Sequence, residues 1–135
     1  MNASEHNQVA FYQNLGKLFY AIANTDKSVR DEELNILIDI VKSEWIPSKL
    51  VAKNYKERAE NSIINTFKWL RDDDEYDAEA CYNSFITFKN NHKYLFNNET
   101  KALILKTAGA IASSFSGVNK SELIMIAKLD IEFKK

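Results

Sequence analysis

A chain of 135 residues is long enough for one domain with a real core, burying ~65–70% of the surface its unfolded form would expose. Hydrophobic residues make up 45% and charged residues 27%, an ordinary globular balance that excludes a disordered or low-complexity chain. The 18 basic and 19 acidic side chains leave a net charge of −1, so no whole-molecule field gathers nucleic acid or an acidic membrane.

Only 3 glycines and 1 proline occur, against ~16 at average usage, which favours a few long helices over many short strands. The opening residues, Met1 to Gln8, have neither a basic nor an apolar region and do not read as a signal peptide; residues 1–7 read as a mobile tail. From Gln8 to Ala23, Phe11, Leu15, Leu18, Phe19 and Ile22 recur at steps of three and four, a helix with one buried stripe. Leu34, Leu37, Ile38, Val41 and Trp45 repeat that pattern until Pro47 biases Ile46 away from helical geometry. Tyr55, Ala59, Ile63, Phe67 and Leu70 mark a third helix, and Asp77 to Leu95 a fourth, with Cys81, Phe85, Phe88 and His92 on its stripe. A fifth opens at Asn97 or Asn98, both good N-caps, and runs to Ala112, apolar on nearly every side and so expected to be the most buried. The sixth covers about Lys120 to Phe133, with Leu123, Met125, Ile126, Leu129 and Phe133 apolar. The expectation is an all-α single domain over residues 1–135, a bundle of about six helices. The apolar stretch from Ala102 to Ala112, interrupted by Lys106, is too short for a membrane span. The lone Cys81 fits a reducing compartment, hence a cytoplasmic expectation.

The strongest internal signal is a duplication. Residues 21–34 align without gaps on residues 110–123: both read Ala-Ile-Ala, then Val, then Glu-Leu at one constant offset, and Lys17 and Lys106 coincide upstream. Helix, turn and next helix keep that register, as a duplicated helical hairpin spanning about 15–41 and 104–130 would. Small residues let backbones approach, the turn valine plugs the space between helix ends, and Glu33 and Glu122 fall at N3 of the following helix, where a carboxylate accepts the N-cap N–H; Asn119 supplies the cap in the second copy. The two halves are expected to pack about a pseudo-two-fold axis, with the first helix near the fifth.

Through Ala23, Asp26, Val29 and Glu33 in the first copy and Ala112, Gly117, Val118 and Glu122 in the second, the chain resembles the tellurite-resistance protein TerB-like domains. The resemblance covers both ends of the chain and says little about Val51 to Lys93. It implies a compact helical protein associated with stress responses, with divalent metal held by acidic residues of the repeated turns. Two positions depart from the pattern: Lys27 stands where the first copy usually has glycine, and Phe115 where the second would carry aspartate. The missing aspartate argues against a two-site metal centre.

Asp26, Asp31, Glu32 and Glu33 cluster around the first turn and offer hard oxygen ligands to Ca²⁺ or Mg²⁺. The blander reading is that Asp31, Glu32 and Glu33 favour the positive end of a helix, each worth ~0.3–1 kcal/mol. The acidic run Asp72 to Asp77 is not an EF-hand loop, because Asp77 stands where glycine belongs and Asn83 where the bidentate glutamate belongs; it reads as a loop feeding an N-cap. His92 reads as a partly buried histidine with a hydrogen-bond partner, and Cys81 as core with nothing nearby to lower its pKa. No phosphate-cradling glycine loop, zinc-protease motif or di-iron motif exists, and no nucleophile, base and orienting group can be assembled, so an enzyme is the least favoured class. Two classes remain. The leading one is a non-enzymatic, stress-associated scaffold binding one divalent cation weakly at the Asp26 turn. The alternative is a protein-interaction or self-associating module in which Tyr12, Trp45, Trp69 and Tyr94 contribute an exposed patch.

Overall fold

In the computed structural model, which describes residues 3–73, 75–114 and 120–135, the chain forms six α-helices: α1 (Ala3–Ala23), α2 (Asp31–Ile40), α3 (Lys56–Asp73), α4 (Ala78–Asn91), α5 (Asn98–Ala112) and α6 (Lys120–Phe133). No strand occurs among the described residues, and none of the helices is long and apolar enough to cross a membrane. Helix α1 starts at Ala3, so residues 3–7 of the stretch expected to be a tail are helical, and Asn7 donates to the Tyr94 hydroxyl at 2.8 Å. Two of the expected caps are in place. Asp77 accepts the Ala80 N–H at 2.7 Å and Asn97 the Thr100 N–H at 2.9 Å, each satisfying a donor that a helix start otherwise leaves open.

The most buried helix is α1, not α5. Beyond Gln13, every α1 residue except Lys17 is buried, because this helix packs against α3 and α4 on one side and α5 and α6 on the other. Helix α5 buries Ile104, Thr107, Ala108 and Ile111 but leaves Ala102 and Lys106 exposed. An apolar run shows that a helix can be surrounded; position in the bundle decides whether it is. Gly16 is what lets α1 and α3 approach: a Cβ there would lie 2.7 Å from the Ile63 carbonyl oxygen and 2.8 Å from Thr66 Cβ.

After α2 the helix widens into a π-turn over Val41–Trp45, before Pro47 ends it. Trp45 is thereby driven into the core, its ring edge-on to Phe19 and its Nε1 donating to Thr107 Oγ1 at 3.0 Å. Tyr12 is likewise fully buried. Both leave the exposed patch in which the sequence placed them. The loop to α3 is gathered by Lys56, whose Nζ donates to the carbonyls of Ile46, Ser48 and Val51.

Candidate functional site

The acidic turn between α1 and α2 is built on a left-handed residue. Lys27 has φ of 63°, a conformation that glycine adopts without a Cβ clash. Two hydrogen bonds hold it: Lys27 N–H to the Asn24 carbonyl at 3.0 Å, and Ser28 N–H to Asp26 Oδ1 at 3.1 Å. The Arg30 guanidinium lies 3.4 Å from Asp26 Oδ2 and 4.0 Å from Glu33 Oε1, and the Arg30 backbone N–H donates to that same Glu33 oxygen at 2.8 Å. Glu33 thus makes the expected N3 contact with the N-cap residue. Of the four acidic residues singled out, Asp26 and Glu33 come together around Arg30. Asp31 and Glu32 are exposed, with Asp31 3.9 Å from Arg71. Among the described residues no group of three or more His, Cys, Asp or Glu is placed to hold a metal ion.

The partner of Glu33 is Glu122, its counterpart in the second copy of the repeat. Glu33 is 1% exposed and Glu122 2%, and their carboxyl groups are hydrogen-bonded to one another. Two ionised carboxylates cannot occupy such a site, so one must keep a proton. Burial raises both carboxyls above the ordinary range, and hydrogen bonding to Glu33 pushes Glu122 further, to about 9. Glu33 keeps the charge because the Arg30 N–H and guanidinium favour its ionised form, while Glu122 holds the proton and donates it to Glu33. Local reading of each N3 glutamate misses this contact. The signal available was the constant offset itself, which makes Glu33 and Glu122 equivalent positions in the sequence. The rest of the second turn, Phe115, Gly117, Val118 and the expected cap Asn119, lies outside the described residues.

A second candidate adjoins the acidic turn, where α4 and α6 leave a groove. One cavity of about 450 Å³ is lined by Asn24, Thr25, Ala78, Ile124, Met125 and Lys128, and another of about 250 Å³ by Tyr82, Ile86, Lys128 and Ile131. Lys128 is the common wall, with its Nζ 5.5 Å from the centre of the Tyr82 ring. The Tyr82 hydroxyl is buried with no hydrogen-bond partner, and burial pushes its pKa up to about 12. Along the rim Ile124 and Ile131 are 59% and 58% exposed, an apolar face that the expected stripe did not include, while Leu123, expected on the stripe with Met125 and Leu129, is itself exposed. Trp69 and Tyr94 are also exposed, Trp69 packing on Tyr76 at 5.3 Å.

The remaining reactive side chains are structural. Cys81 is core, its thiol pushed up by burial. His92 is half-buried, stacked on Phe88 at 4.1 Å, with Nδ1 2.9 Å from the Phe88 carbonyl.

Comparison with protein-family models, with curated proteins and with solved structures finds no match to this chain.

Proposed function

We propose that the protein is a non-enzymatic helical interaction module that takes an amphipathic helix of a partner protein in the groove between α4 and α6. The observation that carries this reading is the exposed pair Ile124 and Ile131, two helical turns apart, on either side of an exposed Lys128. Side chains seven apart lie on one face of a helix, so the two isoleucines offer apolar contacts to the apolar face of a helix laid in the groove, and a cation between them selects a carboxylate on the incoming helix. The resemblance to TerB-like domains makes such a module stress-associated. The test is an array of amphipathic helical peptides probed with wild type and Lys128→Glu. Peptides retained by wild type should carry a carboxylate between two apolar anchors, and Lys128→Glu should prefer lysine at that position. Retention indifferent to Lys128→Glu refutes the site; concentration-dependent dimerisation without peptide binding replaces the partner with a second copy of the chain.

A second reading rests on Asp26, whose charge acts on both Glu33 and Glu122. Among the described residues no three such groups are placed to hold a metal ion, so a divalent cation competing with the shared proton would have to draw Asp26 toward the pair, and Ca²⁺ or Mg²⁺ would need turn carbonyls and water to complete six oxygens. Arg30 already supplies a positive charge at this place, so the expected binding is weak. Millimolar Ca²⁺ or Mg²⁺ should raise the melting transition of wild type and not of Asp26→Asn; an unmoved wild-type transition ends this reading.

A further inference from the structure

The last turn of α6 sits among lysines. Lys89 on α4 donates from Nζ to the Glu132 carbonyl at 2.7 Å, and Lys101 on α5 to the Phe133 carbonyl at 2.9 Å. Lys135 Nζ lies 2.8 Å from Glu132 Oε1. These three lysines, with Lys93 and Phe96, line a cavity of about 60 Å³. Four lysines therefore line one space, and the Glu132 carboxylate beside them is held below its ordinary range by Lys135.

Lys89 is the anomalous member. It is 5% exposed, and a buried ammonium has three N–H donors to satisfy. One goes to the Glu132 carbonyl, while the Glu132 carboxylate stays at 4.0 Å, beyond hydrogen-bond reach. Capping of the α6 carbonyls accounts for one donor each of Lys89 and Lys101 and for none of Lys93. Burial lowers the Lys89 pKa; Glu132 opposes that, and Lys101, Lys93 and Lys135 each add to the lowering. A bound anion would reverse that repulsion and accept the open donors.

The space has room for a small polyatomic anion, since a single water position needs only ≳10–15 Å³, and a phosphate group carries several acceptor oxygens for charge-assisted hydrogen bonds from lysines.

We propose that this cavity is a binding site for a phosphate group, free or as the phosphomonoester head of a larger molecule, held by Lys89, Lys93, Lys101 and Lys135. It is independent of the α4–α6 groove. Its test uses the full chain with inorganic phosphate as the probe, in calorimetric titration and in thermal melts against sodium chloride of equal ionic strength. Wild type should show saturable phosphate binding and a Tm that rises with phosphate beyond the chloride control. Lys93 is exposed, so Lys93→Gln should fold as wild type by circular dichroism yet bind phosphate about tenfold or more weakly, the loss expected of one charge-assisted hydrogen bond. A second arm compares phosphatidylcholine vesicles carrying phosphatidic acid with vesicles carrying phosphatidylserine at equal charge. Selective capture of the former, lost in Lys93→Gln, identifies a lipid headgroup as the source; phosphate binding without it identifies a soluble one. Equal effects of phosphate and chloride, or an affinity unchanged in Lys93→Gln, overturn the site.

Discussion

The Glu33–Glu122 pair makes a pH dependence that a single substitution should remove. Glu122 holds its proton to about pH 9 in the folded protein, whereas in the unfolded chain an ordinary glutamate releases it at a pKa of ~4.3. Between those limits the folded state binds a proton that the unfolded state has lost, so raising the pH draws the equilibrium toward unfolding. Each pH unit inside the window costs ~1.4 kcal/mol, and from pH 5.5 to 7.5 the pair should therefore remove roughly 2–3 kcal/mol of stability. Glu122→Gln keeps the shape and the donor to Glu33 but carries no titrating proton. Urea denaturation of wild type and variant across this range isolates the pair, since His6, His92 and every other group are common to both. The wild type should lose stability steadily while the variant changes much less, overtaking wild type at the alkaline end. Parallel pH profiles for the two proteins would show that the carboxyls do not share a proton, and the electrostatic account of the junction would fall with them.

Three further substitutions probe the backbone. Gly16→Ala should destabilise by ~1–3 kcal/mol, because its Cβ meets the Ile63 carbonyl and Thr66 at under 3 Å; an unchanged urea midpoint would mean that α1 and α3 separate freely. Gly109→Ala should stabilise by up to ~1 kcal/mol, since nothing lies within 4 Å of the added Cβ and alanine is the better helix former; a lower Tm would refute that space. Lys27→Gly should raise stability by about 1 kcal/mol, relieving a left-handed lysine at some entropic cost to the unfolded chain, and a fall in calorimetric Tm would show that the Lys27 side chain matters more than its backbone.

The helices were legible because period and caps agree: Asp77 and Asn97 open α4 and α5 as their sequence positions imply, and the segment after α2 ends near Trp45 as expected, although Ile46, expected to be biased out of helical geometry by Pro47, keeps right-handed helical dihedrals. Burial was less so. Trp45 lies on the same helical stripe as Leu37 and Val41, so its period already placed it in the core; only its aromatic character argued for a surface. The exposed face of α6 escaped because Ile124 and Ile131 sit between stripe positions in a helix apolar almost all round, where periodicity cannot say which side is left uncovered. The lysine cluster escaped for another reason. Lys89, Lys93, Lys101 and Lys135 are scattered along three segments, and only the meeting of α4, α5 and the end of α6 gathers them.

The duplication also explains why one glutamate of the pair holds the proton and its equivalent does not. Perfectly repeated turns would set identical surroundings about Glu33 and Glu122, and the proton would have no preferred side. The copies differ where charge matters: Arg30 in the first corresponds to Asn119 in the second, and Asp26 to Phe115. The first copy thus keeps a cation and a carboxylate beside its glutamate, while the second has lost both in sequence. A guanidinium and a backbone N–H on one side favour ionised Glu33, leaving Glu122 to remain neutral and donate. The Arg30 backbone N–H and guanidinium are thus the groups that favour the charge on Glu33.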